Sequence, residues 1–197
     1  MENELARNYL ESIRKQFAYY RMLGTKTLAQ LTDAQLALSP DHESNSIARI
    51  VDHLHGNMRS RFTDFWTSDG EKAWRNREGE FSTDFVDRAG VEAKWTEGWA
   101  VVFGVLDTMQ PEQLTGIVYI RQQGHTALEA LNRQLAHYAY HIGQMVYLGK
   151  HLRGVEWQSL SIPKGQSAAF NAAKRARGKG RGHYTDEFIE NPDESTN

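Results

Sequence analysis

Four long stretches of the chain repeat their apolar residues about every 3.6 positions, and this pattern constrains the fold more than any other feature. The stretches cover residues 2–31, 47–65, 91–106 and 128–152. Each one carries a single apolar stripe, which has to be buried against the stripes of the others. The pattern predicts an all-α fold, and the lengths and links of the helices fit a four-helix bundle.

Local signals place several of the helix ends. The pairs Thr32 with Gln35 and Thr126 with Glu129 have capping-box spacing, which predicts a short helix over 33–38 and the start of the fourth long helix. Residues 44–46, Ser-Asn-Ser, supply N-cap candidates for the second long helix. We expect that helix to end near residues 68–70.

The connections between the long helices differ in character. Residues 70–86 carry many charges and no sustained period, so they predict a long crossover between the second and third long helices. Four charged residues of this crossover either cover a site or form a solvated connection: Arg75, Arg77, Glu78 and Glu80. Residues 115–125 hold a β-branched and aromatic run that ends at a glycine, which predicts a short strand or hairpin.

Composition excludes several classes of function. With 23 Lys and Arg against 25 Asp and Glu, the chain has no global field that would attract nucleic acid or an acidic membrane. The absence of Cys excludes disulfides, zinc ribbons, iron–sulfur clusters and thiol nucleophiles, so a metal ion would need His, Asp or Glu ligands. No stretch approaches the roughly 18 apolar residues of a membrane span, and the N-terminus lacks a secretory signal pattern. We therefore expect a cytoplasmic protein with no membrane partner.

The C-terminal part of the sequence loses the helical pattern. We predict one bundle domain over residues 1–172 and a polar, exposed tail over 173–197. A basic run at 174–181 has no interleaved aromatic residues and is followed by acidic ones. Binding of nucleic acid by the tail is therefore a disfavoured hypothesis.

Histidines on two of the helices are the candidates for chemistry. His137 and His141 stand four apart, so their side chains lie on one helix face and can converge on one ion, although such a pair also occurs without a metal. His53 is displaced from the apolar stripe of its helix in the same rotational sense as this pair, which is compatible with one site at a flank of the bundle. His55 lies on the other side, either as a partly buried histidine or as an outer-shell group.

Three further polar residues are candidate catalytic groups. Asn57 lies one turn after His53, and Gln144 lies three residues after His141. Each either bonds a metal-bound water or orients an imidazole, or else satisfies backbone and neighbouring helices. Arg133, one turn before His137, either binds a substrate anion or forms a solvated ion pair. No Asp or Glu stands at a motif-fixed distance from the histidines to act as a general base.

The histidine motifs resemble a known superfamily. The strings IVDHLHGN and H-x-x-x-H-x-G-Q, the latter at residues 137–144, resemble those of the DinB/YfiT-like metal-binding four-helix bundles. The runs HLHGNMRSRFTDF, DGEKAWRNREGEF and LNRQLAHYAYHIGQMVYLGKHL are similar to a branch known mainly as a domain of unknown function. The resemblance covers roughly residues 1–172.

This resemblance implies an up-down-down-up bundle, often dimeric, with one divalent ion, zinc or nickel, bound by His53, His137 and His141. Three neutral nitrogens with open positions left for water are typical of a catalytic site. Relatives imply hydrolysis or transfer of low-molecular-weight thiols such as bacillithiol or mycothiol, with the sulfur supplied by the substrate.

Two hypotheses of different classes follow. The first is a metal-dependent hydrolase or thiol S-transferase that acts on a small molecule and forms a homodimer. The alternative is a non-catalytic bundle that the metal stabilises and that acts as a dimeric interaction protein.

Overall fold

A computed structural model describes residues 2–81 and 87–189, and the chain over these ranges is mostly helical, with a small two-stranded sheet. The seven α-helices of the described ranges are α1 (Glu2–Ala29), α2 (Asp33–Ala37), α3 (Ile47–Phe62), α4 (Arg88–Thr108), α5 (Ala127–Arg153), α6 (Ser167–Ala176) and α7 (Asp186–Ile189). The strands are β1 (Ile117–Ile120) and β2 (Gln123–Thr126). Short 3₁₀ turns cover Gly79–Phe81, Pro111–Thr115 and Gly154–Glu156.

Both predicted capping boxes are present. The Thr32 hydroxyl accepts the Gln35 N–H at 3.3 Å at the start of α2, and the Thr126 hydroxyl accepts the Glu129 N–H at 3.2 Å at the start of α5. Ser46 caps α3 by accepting a backbone N–H at 3.2 Å. These side chains satisfy donors that a helix start would otherwise leave unpaired.

The prediction that the second long helix continues to residues 68–70 is wrong, because α3 ends at Phe62. Asp64 has a φ of 50°, which is incompatible with a continuing right-handed helix. Phe65 is still buried, and its ring stacks on Phe62 with centroids 5.6 Å apart. The apolar period therefore continues to Phe65, although the helix itself ends at Phe62.

The core lies between the four long helices. Helix α3 packs along α4, and α1 packs along α5. Three fully buried rings from three helices meet at the centre: Phe17 lies 6.2 Å from Trp99 and 5.9 Å from Tyr138, and the last two lie 5.8 Å apart. Such tilted and edge-on aromatic contacts add to the stabilisation that burial provides.

The predicted hairpin is confirmed and is attached to the crossover. Arg121 and Gln122, between β1 and β2, have φ values of 55° and 64°, the conformation of a two-residue type I′ turn. Residues other than glycine rarely adopt it. The two carboxylate oxygens of Asp69 accept the N–H groups of Arg121 and Gln122 at 2.8 and 2.7 Å. Asp69 therefore stabilises the turn and joins it to the chain that leaves α3.

The structure describes only part of the predicted crossover and part of the predicted C-terminal tail. Of the predicted crossover, residues 82–86 lie outside the described residues, as do residues 190–197 of the predicted tail. Helix α7 contacts α1, where Lys15 bonds Asp186 at 2.8 Å. The boundary at residue 172 stays a prediction. None of the described helices combines the length and the apolar character that crossing a membrane requires.

Candidate metal centre

The three histidines that the sequence singled out lie together. His53 extends from α3, and His137 and His141 extend from α5. Each can offer one ring nitrogen to a common point, and these three atoms lie within 4.8 Å of one another. The Nε2 atoms of His53 and His137 are 3.2 Å apart. The group could hold a metal ion.

One separation within the cluster, that between His53 and His137, fits two ligands of a tetrahedral ion. Zinc lies about 2.0–2.1 Å from an imidazole nitrogen, so two such ligands at roughly tetrahedral angles lie about 3.1–3.4 Å apart. The distance between His53 and His137 is 3.2 Å, inside that range. The donor set of three imidazoles suits zinc, nickel or another first-row divalent ion.

A carboxylate from the crossover holds His53 in place. The ring donates from Nδ1 to Glu80 Oε2 at 2.9 Å, which leaves Nε2 with its lone pair directed at the cluster. Arg75 bonds both oxygens of this carboxylate, from Nε at 2.8 Å and from Nη2 at 2.9 Å. The ring of Phe81 stacks on the other side of His53 with centroids 4.8 Å apart. Glu80, Arg75 and Phe81 together therefore fix the imidazole, its tautomer and its plane.

Charge and space around Glu80 are both specified. Burial opposes ionisation, but the hydrogen bonds from His53 and Arg75 outweigh it and lower the pKa of Glu80 below its usual value. Gly56 leaves the room that the carboxylate needs, since a Cβ there would lie 2.1 Å from Glu80 Oε1. The glycine of the HLHGN string is therefore a packing requirement of the site.

The other two histidines differ in whether a neighbouring side chain bonds the Nδ1 atom of the ring. His141 donates from Nδ1 to Gln144 Oε1 at 3.0 Å, the relation that the three-residue spacing allowed. The Nδ1 atom of His137 is buried and has no hydrogen-bond partner among the described residues. Two of the three rings thus have their tautomer set by a neighbour.

Both histidines of α5 are held neutral. Burial lowers the pKa of His137 to about 3, with further contributions from His141 and His53 and then from Arg75 and Arg61. Burial also lowers the pKa of His141 to about 4, with His53 contributing. The neutral ring is the form that binds a metal ion, so these two histidines need no deprotonation at neutral pH.

The remaining candidates are distributed around this cluster. Asn57 is buried and accepts the Tyr138 hydroxyl at 3.2 Å. His55 bonds Glu97 of α4 at 2.9 Å and lies outside the cluster. Arg133 is exposed and borders a cavity that His137 also lines. The catalytic roles of Asn57, Gln144 and Arg133 stay predictions.

Of the four charged crossover residues, two reach the centre. Arg75 and Glu80 are buried behind His53, and Arg77 lines the same cavity as His137. Glu78 is exposed. Sequence reasoning did not find the bond between His53 and Glu80, because 27 residues separate them and no local spacing signals such a contact. The residue pattern alone offered only the concentration of charge in the crossover.

Comparison with protein families gives one match. The family described as "Protein of unknown function (DUF1572)" matches residues 4–166, which include all but the first two residues of α1, the whole of α2 to α5, and the three histidines of the cluster. Comparison with curated proteins and with solved structures found no match. The inference of function therefore depends on the site.

Proposed function

The chain belongs to the DUF1572 family of proteins of unknown function, and we propose from its site that it is a divalent-metal-dependent enzyme of the hydrolase or thiol S-transferase type. The ligands are His53, His137 and His141, and the ion is zinc or nickel. In this proposal α1, α3, α4 and α5 form a DinB-like up-down-down-up four-helix bundle, and the protein is a cytoplasmic homodimer that acts on a small molecule.

The carrying observation is the convergence of three imidazoles, two of which have their orientation set by a neighbouring side chain. The clustered group has three members among the described residues, which matches sites where three protein ligands leave positions for water or substrate. The Glu80 and Gln144 contacts are of the kind that orient metal-binding histidines and raise their basicity.

An ion held by this group would act as a Lewis acid toward a water, a thiol or a carbonyl oxygen at its remaining positions. The chain contributes orientation of the ligands rather than a free base. Both oxygens of Glu80 are engaged, by Arg75 and by His53, so this carboxylate is a positioning residue. A nucleophile that loses its proton near neutral pH when polarised, such as water or a substrate thiol, suits this arrangement.

Metal content measured by elemental analysis tests the proposal first. Untagged wild-type protein should contain close to one zinc or nickel ion per chain, and His53→Ala and His137→Ala should lose it. His55→Ala is the matched control, because His55 is on the same helix but bonds Glu97 instead. Absence of any bound ion after reconstitution would overturn the proposal.

A second candidate function is a non-catalytic, metal-stabilised bundle that binds a partner as a dimer. It is favoured by the burial of His53 and Glu80, since this pair ties α3 to the crossover. An ion bound here would add α5 to that connection and stabilise the folded state. Removal of metal that lowers Tm in a protein with no turnover on ester, amide or thiol-transfer substrates would select this function.

A further inference from the structure

A cavity of about 210 Å³ is lined in part by His137, and its walls are strongly basic. The five arginines that line it come from α3, the crossover, the hairpin turn and α5: Arg61, Arg75, Arg77, Arg121 and Arg133. No acidic residue lines it among the described residues. His137 belongs both to this lining and to the histidine cluster.

The positive charge around the cavity is only partly compensated. Glu71 bonds both Arg61, at 3.2 Å, and Arg121, at 3.0 Å. Glu80 bonds Arg75 at 2.8 Å. The guanidinium groups of Arg77 and Arg133 have no ion-pair or hydrogen-bond partner among residues 2–81 and 87–189. Five guanidinium groups therefore face two carboxylates, and the excess is positive.

Independent of charge, three buried polar atoms of this lining have no partner in the described part of the chain. They are Arg61 Nε, Gln134 Oε1 and His137 Nδ1. Arg61 is 6% exposed and Gln134 is 4% exposed, so bulk water does not satisfy them freely. Buried polar groups without partners are costly, and three of the eight such atoms in the described chain belong to residues of this one lining, which favours a ligand that supplies the missing bonds.

We propose that this cavity binds an oxyanion group, a phosphate or a carboxylate, of the substrate. Guanidinium groups recognise both through paired N–H donors, and Arg61 Nε is such a donor. Rotation of the Gln134 amide offers either an N–H or an oxygen. That the anion is part of the substrate rests on the proposed metal function, whereas binding of the anion by the arginines does not.

The size of the cavity restricts what enters it. Drug-sized ligands occupy pockets of about 300–1,000 Å³, so a cavity of about 210 Å³ suits one charged group and not a whole substrate. His137 is common to the cavity and the histidine cluster, which places the anionic group beside the proposed ion. The reacting bond of the substrate would then lie within a few atoms of its anionic group.

Calorimetric titration with inorganic phosphate and with malonate tests the proposal and distinguishes the two sources. The test variant is Arg77→Gln/Arg133→Gln, because both side chains are exposed and unpaired in the described chain, so the fold should tolerate their replacement. The control is Arg7→Gln/Arg175→Gln, which removes the same charge from exposed positions of α1 and α6. Circular dichroism and Tm verify that both variants fold.

We expect phosphate or malonate to bind wild-type and control protein, and the test variant to bind the same anion at least about tenfold more weakly, as for loss of charged hydrogen bonds. This difference should persist after chelation of metal. Failure of both anions to bind wild type, or equal binding by test and control variants, would overturn the proposal. Arginine-dependent binding in a protein that takes up no metal would refute the proposed function alone.

Discussion

The histidine cluster (His53, His137 and His141) and the arginine-lined cavity share His137. The two regions differ in whether their polar atoms have hydrogen-bond partners within the chain. In the cluster, His53 and His141 have their outer nitrogens bonded to Glu80 and Gln144. In the cavity, three buried polar atoms lack a partner in the described chain, and two arginines carry unpaired charge. In the cluster, residues of the chain orient two of the rings. In the cavity, a ligand would have to supply the missing bonds.

This difference indicates complementary ligands. The cluster presents neutral lone pairs, which suit a cation, and the cavity presents N–H donors with positive charge, which suit an anion. The two regions are also coupled, since Arg75 and Arg61 add to the effect of burial in lowering the pKa of His137. A cation and an anion bound side by side would screen each other's charge.

Replacing one of the metal-binding histidines should cause the largest loss of metal affinity. Changes to groups that only orient a ligand cost about 10–100-fold in metal affinity, so His141→Ala should cost at least about 100-fold. Competition with a chromophoric chelator measures the affinity for zinc and for nickel. His151→Ala, at an exposed position of the same helix, should bind metal like wild type. Similar affinity in His141→Ala would remove this residue from the ligand set.

The second largest loss of metal affinity should follow from changing Glu80, which orients His53. Glu80→Gln keeps the shape of the side chain but removes the charge that Arg75 and His53 share, so metal affinity should fall about 10–100-fold. Glu78→Gln, two residues earlier and exposed, is the control. The same chelator competition would argue against a positioning role if both variants bound metal equally well.

Much of the fold and part of this site were predictable from sequence. Helix existence, two capping boxes and the hairpin follow from local patterns, because the relevant contacts lie within a few residues of each other. The pair His137 and His141 follows from helical geometry in the same way. The addition of His53 needed a helical-wheel argument and a resemblance, since the contact joins α3 and α5.

The rest depends on tertiary structure that no spacing encodes. Arg61 and Arg121 are 60 positions apart, yet Glu71 bonds both. Helix α3 ends before its apolar period does because Asp64 adopts a positive φ, which its residue type permits but does not require. The sequence therefore indicated which helices hold the histidines and that Gln144 could orient an imidazole, but not the bond from His53 to Glu80.

A smaller expected effect comes from the packing behind His53. In Gly56→Ala the new methyl group would overlap Glu80 Oε1, so the carboxylate must shift. We expect the free energy of unfolding to fall by about 1–3 kcal/mol, as for other overpacked sites, with weaker metal binding. Gly143→Ala in α5 meets nothing within 4 Å and should be neutral or stabilising. Urea unfolding of both variants measures this, and equal loss in both would contradict the explanation.

The smallest expected effect is a pH dependence of the metal-free protein. The ordinary histidine pKa is 6.5, against about 3 for His137 and about 4 for His141 in the folded chain. Between these values the unfolded chain binds more protons, so the free energy of unfolding should fall as pH decreases from about 6.5 towards 4. Each ring contributes less than about 1.4 kcal/mol per pH unit, because both keep some solvent contact.

Urea unfolding of chelator-treated protein between pH 8 and pH 5 measures this dependence. The double variant His137→Gln/His141→Gln should show a flatter profile over the same interval. Parallel profiles for wild type and the double variant would show that other groups cause the acid sensitivity.

The walls of the arginine-lined cavity come from four separate segments between residues 57 and 137, and Asp69 joins the hairpin turn to the chain that leaves α3. A small anion inside would therefore act as a non-covalent crosslink across the chain. Its binding should slow hydrogen exchange at the hairpin and the crossover together, although these segments are neighbours only in the folded protein. Comparing amide exchange rates with and without phosphate would thus show whether the hairpin and the crossover open together.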